Sequence, residues 1–182
     1  MLGLVILADG FEDSEAIITI DLLRRAHINL DVVCMNKTLT CKSGRGLEVV
    51  CDKTFKDINL KDYNFLVIPG GQAVFKYHLK SDLTKSIVDY FMNKGLLVAC
   101  ICAAPMILGN LGYLKGKNYT CFPGCQSDIF LGDYQDQEVV IDGNIITSKA
   151  MGTTFAFGEA IITKLLSSDA AQKVINEVYY QK

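Results

Sequence analysis

Apolar runs of strand length recur along the chain and alternate with segments of helical spacing. The runs lie at Leu2 to Ala8, Leu30 to Met35, Phe65 to Ile68 and Leu96 to Ile101. Apolar residues at helical spacing follow the first run, at Ile17, Ile20, Leu23 and Ala26, and precede the last, at Leu83, Ile87 and Phe91. Unbroken apolar strands that alternate with amphipathic helices are typical of a parallel sheet covered on both faces. We therefore predict an α/β fold.

The remaining segments are shorter or more polar. Asn36 to Asp52 contains glycines and predicts an excursion or a hairpin, and Tyr119 to Cys121 could be a short strand. Val139 to Ile141 and Asn144 to Thr147 flank Asp142-Gly143, which is a strong two-residue hairpin signal. We expect helices at Thr153 to Leu166 and Asp169 to Tyr179, with Asp169 as the N-cap of the second.

Length, net charge and cysteine content indicate the number of domains, the kind of partner and the cellular compartment. The 182 residues predict one domain over positions 1–182, which would bury roughly 70% of the surface of the unfolded chain. A net charge of -2 provides no positively charged surface for nucleic acid, so we expect the partner to be a small molecule. No apolar run reaches transmembrane length, so we expect no membrane contact. Met1 to Ala8 lacks a basic leader, so we expect it to be a buried strand rather than a signal peptide. Seven cysteines, an odd number, favour a reducing compartment such as the cytoplasm.

Cys102 follows the last apolar strand at a predicted turn into a helix. The first amides of that helix would face the cysteine and favour its thiolate, which is one way to make a nucleophile. The alternative is that cysteine packs as a small apolar residue, and this is the default for each of the seven. For Cys102 alone we favour the functional interpretation, because a strand-to-helix elbow can display a nucleophile.

Three predicted turns meet at one edge of the sheet. Ligands of such folds bind outside the carboxyl ends of the strands, and the turns after Ala8, Ile68 and Ile101 would gather Glu15, Gly71 and Cys102 there. Each residue also has an ordinary explanation. Glu15 could simply face the dipole of a helix start, and Gly71 could belong to a tight turn rather than bring an amide to a reacting group.

Sequence motifs for binding phosphate, dinucleotides or metal ions are absent. There is no phosphate-binding or dinucleotide-binding glycine motif, and the cysteine pairs Cys100/Cys102 and Cys121/Cys125 have no second matching pair. We expect no metal and no cofactor. The two histidines, His27 and His78, occur in polar contexts near predicted helix ends, and we expect neither to be catalytic.

Four blocks together resemble the DJ-1/ThiJ/PfpI family, in the order of that family. They are Ala8-Asp9-Gly10-Phe11-Glu12-Asp13-Ser14-Glu15, Ile68-Pro69-Gly70-Gly71, Ala99-Cys100-Ile101-Cys102-Ala103-Ala104-Pro105 and Thr147-Ser148-Lys149-Ala150-Met151-Gly152-Thr153. The resemblance implies a flavodoxin-like three-layer sandwich with a mostly parallel central sheet, assembled as a homodimer. It also implies that Cys102 is a nucleophilic, oxidisable cysteine, that Glu15 is its acid partner, and that the amides of Gly71 and Ala103 bind an oxyanion.

Members of this family are described as cofactor-free glyoxalases, as deglycases, and as oxidative-stress sensors or chaperones. We therefore expect a glyoxalase-type or deglycase-type enzyme acting on reactive aldehydes such as methylglyoxal, with a redox or chaperone role as the alternative. Glu15 must be protonated at one stage of the enzymatic route, so we expect burial to raise its pKa.

Three positions depart from relatives. Ala103 replaces the histidine of peptidase members, which disfavours peptidase activity. Phe122 stands before Pro123 where animal members have a histidine, so either turnover is slower here or Glu15 performs both proton transfers. Met151 replaces a common proline and changes the expected loop shape.

Overall fold

The computed structural model describes residues 1–129 and 131–180. Its helices are α1 (Asp13–Arg25), α2 (Gln72–Lys76), α3 (Asp82–Asn93), α4 (Pro105–Asn110), α5 (Thr154–Leu165) and α6 (Ser168–Glu177). Its strands are β1 (Leu2–Leu7), β2 (Asn29–Cys34), β3 (Thr40–Lys42), β4 (Glu48–Val50), β5 (Lys53–Thr54), β6 (Phe65–Ile68), β7 (Leu97–Ile101), β8 (Asn118–Tyr119), β9 (Asp133–Tyr134), β10 (Val139–Asp142) and β11 (Ile145–Ser148).

Seven strands form the central sheet in the order β10-β11-β7-β6-β1-β2-β5. Every neighbouring pair is parallel except β10 and β11, which form an antiparallel hairpin at one edge. The inner strands β6 and β7 are buried throughout, which is why their sequences are continuous apolar runs rather than alternating ones. The predicted flavodoxin-like α/β sandwich with a mostly parallel sheet is confirmed.

Two crossovers that run in opposite directions produce the three layers. The chain steps from β1 through α1 to β2 on one side, and from β6 through α3 to β7 on the other. Because parallel crossovers are right-handed, α1 and α3 cover opposite faces of the sheet. The order of strands reverses between β1 and β6, and the crevice at such a point is where open α/β sheets bind ligands.

The polar excursion after β2 is a hairpin, as one of the two sequence alternatives proposed. Strands β3 and β4 pair antiparallel, and Gly46 (φ 93°) supplies a backbone conformation that other residues rarely adopt. Its Ser43 donates a hydrogen bond from Oγ to Asp13 Oδ1 at 2.6 Å and accepts the amides of Arg45 and Leu47. The hairpin is thereby fixed against the start of α1.

Two local predictions were wrong. The turn between β10 and β11 consists of Gly143 and Asn144 rather than Asp142 and Gly143, because Asp142 pairs with Ile145 in the strand register. Asp142 is held there by the Lys117 ammonium and the Asn118 amide. Helix α6 is capped by Ser167, whose Oγ accepts the amide of Ala170, so Asp169 lies within the first turn instead of at the cap.

In the part of the chain that the structure describes, every helix is too short or too polar to span a membrane.

Candidate active site

Cys102 immediately follows β7 in a strained backbone conformation. Its φ is 66°, a left-handed value that costs a residue other than glycine of order 1–3 kcal/mol. Two hydrogen bonds hold it there: its amide donates to the carbonyl of Ser148 at 2.9 Å, and its carbonyl accepts the amide of Phe122 at 2.8 Å. The predicted elbow is present, since α4 begins three residues later at Pro105. The elbow aims the thiol at the crevice between β1 and β6.

Glu15 approaches the same point from the first turn of α1. Its amide is bound by the carboxylate of Glu12, the N-cap residue, at 2.7 Å. Its side chain is only 1% exposed, and its Oε2 accepts the Gly70 amide at 2.8 Å. Burial is the largest influence and raises the pKa of Glu15 to about 7, as predicted, although the Gly70 amide acts in the opposite direction.

Gly70 packs against both Cys102 and Glu15, whose side chains also contact each other. A Cβ at this position would lie 2.5 Å from Cβ of Cys102 and 2.8 Å from Oε2 of Glu15, so no larger residue fits. Sequence patterns pointed to Gly71 as a site residue and not to Gly70, although the two are adjacent in the same turn. The presence of two consecutive glycines shortly after a buried strand could have indicated the role of Gly70, because a tight turn alone requires only one glycine.

The backbone amides of Gly71 and Ala103 both donate toward the sulfur of Cys102, and both lower the pKa of its thiol. Gly71 has a φ of 92° and no room for a side chain, because a Cβ would lie 2.5 Å from the Glu12 amide nitrogen. The structure therefore brings together all four residues that the sequence analysis selected: Cys102, Glu15, Gly71 and Ala103.

The amide at the turn favours the Cys102 thiolate as expected, but it does not decide the pKa of the thiol. Burial, followed by the negative charge of Glu15, raises the pKa of the thiol above its ordinary value and outweighs the two amides. The charge of Glu15 disappears when this carboxyl is protonated, so the two groups titrate as one unit. Above about pH 7 that unit holds one negative charge, mainly on the carboxylate and in smaller part on the thiolate, because the pKa of the thiol is the higher of the two. Oε1 of Glu15, which is buried, has no hydrogen-bond partner of good geometry.

A cavity of about 550 Å³ opens in front of the thiol. Glu15 does not line it, so the acid lies behind the cysteine rather than beside the entering molecule. Five parts of the chain that lie apart in the sequence form its wall, and besides Cys102 they include Phe11, Asp13, Arg45, Phe75, Phe122, Cys125 and Asp128. The sequence analysis did not place Arg45 or Phe75 here, because neither belongs to a motif and only the tertiary fold brings them together.

The two histidines lie apart from this cavity. His78 is buried, and its Nδ1 is 3.1 Å from Oγ1 of Thr84. Burial lowers its pKa to about 4, so it is neutral at physiological pH, and the predicted polar context was wrong for this residue. His27 is exposed just after α1. In residues 1–129 and 131–180, no group of His, Cys, Asp and Glu side chains is arranged to hold a metal ion.

Comparison with known proteins decides the family. The family model described as DJ-1/PfpI matches residues 3–164. The chain belongs to the DJ-1/PfpI family. It is 36% identical to Protein DJ-1alpha of Drosophila melanogaster over 175 residues, which cover 94% of this chain and 81% of that protein. It is 32% identical to Deglycase PYRAB04690 of Pyrococcus abyssi over 157 residues, which cover 85% and 93% of the two chains.

Solved structures of family members have the same fold. The crystal structure of Drosophila melanogaster DJ-1beta superposes with a TM-score of 0.93 at 32% identity, and the match covers 100% of this chain and 98% of that one. The family and its fold are thus shown for this chain by sequence and by structure.

Proposed function

We propose that this chain is a cysteine-dependent, cofactor-free enzyme that consumes small reactive aldehydes such as methylglyoxal. One observation carries the proposal: a thiol facing a cavity is backed by a buried carboxyl whose pKa is raised to about 7. A carboxyl of this kind can accept and return a proton at neutral pH. The name of the Pyrococcus abyssi relative, a deglycase, agrees with aldehyde chemistry.

The first step is addition of Cys102 to the aldehyde carbon. The sulfur forms a bond to that carbon, its proton passes to Glu15, and the carbonyl electron pair becomes an oxyanion. The amides of Gly71 and Ala103, which point at the sulfur, would also reach an oxygen on the carbon next to it. Glu15 then returns this proton to the oxyanion, so the product of the step is a hemithioacetal and Glu15 is again a carboxylate.

The second step moves one proton between adjacent carbons of the substrate. Glu15 removes the proton on the former aldehyde carbon and delivers it to the neighbouring ketone carbon, while the hydroxyl proton of the first carbon passes to the ketone oxygen. The first carbon is thereby oxidised and the second reduced. This leaves a thioester between Cys102 and a hydroxy acid. Water cleaves the carbon–sulfur bond, and the sum of the steps is methylglyoxal plus water giving lactate. No external oxidant or cofactor enters the balance.

Phe122 lies at the cavity where a histidine would provide a second proton carrier. Its side chain is 47% exposed and cannot transfer protons, so in this proposal Glu15 serves both proton transfers. The proposal includes a single domain over residues 1–182, as the length indicates, and a cytoplasmic location, as the cysteine content indicates. It also includes a homodimeric assembly, as the family resemblance implies. Deglycase activity would use the same addition step on a carbonyl released from a protein adduct.

A second candidate function is oxidative-stress sensing, with a chaperone-like role as its variant. All seven cysteines are free, and Cys102 is partly exposed while the other six are buried. An oxidant would therefore meet Cys102 first, and Glu15 could hydrogen-bond to the sulfinate that results. This role needs no turnover, and Phe122 is compatible with it.

The test is to follow methylglyoxal and lactate in one sample by proton NMR. We expect lactate to form with the wild-type protein, to be absent with Cys102→Ser, and to be retained with Cys121→Ala, which removes a buried thiol outside the cavity. Equal rates for wild type and Cys102→Ser would overturn the enzymatic proposal. Peroxide oxidation spread evenly over the seven cysteines, measured by peptide mass spectrometry, would overturn the sensor alternative.

A further inference from the structure

A second cysteine lines the cavity that holds Cys102. Cys125 is 9% exposed, and it contributes to the cavity wall together with Cys102, Phe122 and Asp128. None of the other five cysteines lines this cavity. The mechanism proposed above for aldehydes makes no use of a second thiol.

Backbone hydrogen bonds connect the segment that carries Cys125 to Cys102. Phe122, Pro123, Gly124 and Cys125 form a tight turn, closed by a hydrogen bond of 2.9 Å from the Cys125 amide to the Phe122 carbonyl. The Phe122 amide in turn donates to the carbonyl of Cys102 at 2.8 Å. One backbone hydrogen bond and one turn therefore connect the two cysteines, although they are 23 positions apart in the sequence.

This turn has room to move. Phe122, Pro123 and Gly124 are exposed, and a Cβ built at Gly124 (φ 100°) would meet nothing within 4 Å. A disulfide needs Cα atoms roughly 4.4–6.8 Å apart, and the backbone of an exposed turn can shift at less cost than that of a buried strand. The neighbouring Cys121, in contrast, is fully buried.

We propose that Cys125 is a resolving thiol for Cys102, so that the chain reduces small hydroperoxides by alternating between a Cys102 sulfenic acid and a Cys102–Cys125 disulfide. This inference rests on the proposed nucleophilic role of Cys102, but it is a separate activity with its own product. Disulfide formation would also protect Cys102, which the aldehyde reaction requires, from irreversible oxidation.

The steps balance when a hydroperoxide is the oxidant and an external dithiol is the reductant. The sulfur of Cys102 attacks the terminal peroxide oxygen, the oxygen–oxygen bond breaks, and an alcohol, or water from hydrogen peroxide, leaves with the thiol proton. The sulfur of Cys125 then attacks the sulfenic sulfur, a sulfur–sulfur bond forms, and the hydroxyl leaves as water with the Cys125 proton. The dithiol restores both thiols and is itself oxidised to a disulfide.

The surroundings assign the two cysteines different roles. Cys102 has a buried acid behind it and two amides at its sulfur, so it is the group that meets the peroxide. Burial and the nearby Asp128 raise the pKa of Cys125, which keeps it a thiol until a sulfenic acid forms at Cys102 in the same cavity. Cys34, Cys41 and Cys51 contact one another around the β3–β4 hairpin and are buried away from the cavity.

The experiment treats the wild-type protein, Cys125→Ser and Cys121→Ser with one equivalent of hydrogen peroxide, followed by peptide mapping without reduction. We expect a Cys102–Cys125 peptide pair in wild type and in Cys121→Ser, and its loss on addition of dithiothreitol. In Cys125→Ser we expect no such pair, a sulfenic acid trapped by dimedone, and a several-fold faster rise of Cys102 sulfinate.

Sulfinate accumulation at the same rate in wild type and Cys125→Ser, with no Cys102–Cys125 pair, would overturn the inference. Disulfides only between chains, seen as dimers on a gel without reductant, would overturn it as well. Methylglyoxal consumption by the untreated wild-type protein separates the two proposals. If lactate forms and the disulfide does not, the resolving role fails while the aldehyde activity stands.

Discussion

The carboxyl of Glu15 is buried behind the thiol of Cys102, and each group shifts the pKa of the other. The contact lowers the pKa of the acid, while the charge of the acid raises the pKa of the thiol. The pair therefore loses its first proton near neutral pH and its second far above it. This arrangement makes one proton available at the site without a histidine.

Replacing Glu15 by glutamine tests the cost of burying this acid. The pKa of Glu15 is about 7 in the folded chain and near its ordinary 4.5 when unfolded, so the folded state binds the proton more tightly. Stability that Glu15 contributes below pH 4.5 is lost as pH rises toward 7, by about 3 kcal/mol in total. Relative to wild type, Glu15→Gln should gain about 2–3 kcal/mol between pH values of about 5 and 8.

Urea unfolding of the two proteins at both pH values measures this difference. Asp9 and Asp31, whose pKa values are lowered, change stability in the opposite direction, but they are common to both proteins and cancel in the comparison. A stability difference that does not change with pH would show that Glu15 titrates normally.

Gly70 packs against both the acid, Glu15, and the thiol-bearing residue, Cys102. In Gly70→Ala the added methyl would collide with Cβ of Cys102 and Oε2 of Glu15. We expect a loss of about 1–3 kcal/mol in stability and of roughly 100-fold in lactate formation, because the reacting groups are displaced. Gly152→Ala is the matched control, since a Cβ there meets nothing within 4 Å. Equal activities of the two variants would refute the role given to Gly70.

The sequence predicted the parts of this site that depend on local chain geometry. Apolar runs located β1, β6 and β7, and parallel connectivity placed the turns after them at one edge, which brought Glu15, Gly71 and Cys102 together. The turn at Gly143 and the cap at Ser167 were missed because alternatives one or two residues apart satisfy the same local rules. The raised pKa of Cys102 was missed because it depends on burial and on a carboxyl 87 positions earlier, and neither is a property of the turn itself.

Introducing a histidine at Phe122 tests whether the site lacks a proton carrier. Phe122 lies at the cavity and is about half exposed, so a histidine there would keep a pKa of about 6.5. We expect Phe122→His to raise kcat for methylglyoxal about tenfold and to add an inflection near that pH. Phe122→Asn controls for the loss of the aromatic ring. An equal increase in both variants would indicate that removing the ring, rather than adding a proton carrier, matters.

The most direct test of the Glu15–Cys102 unit is the rate of iodoacetamide modification of Cys102 against pH, followed by peptide mass spectrometry. In wild type we expect the rate to rise through about pH 7, where the pair loses its first proton. In Glu15→Gln the amide cannot take the thiol proton, and burial alone keeps the pKa of the thiol high, so the rise should move to higher pH. Superimposable curves for the two proteins would contradict the account, because Cys102 would then react independently of Glu15.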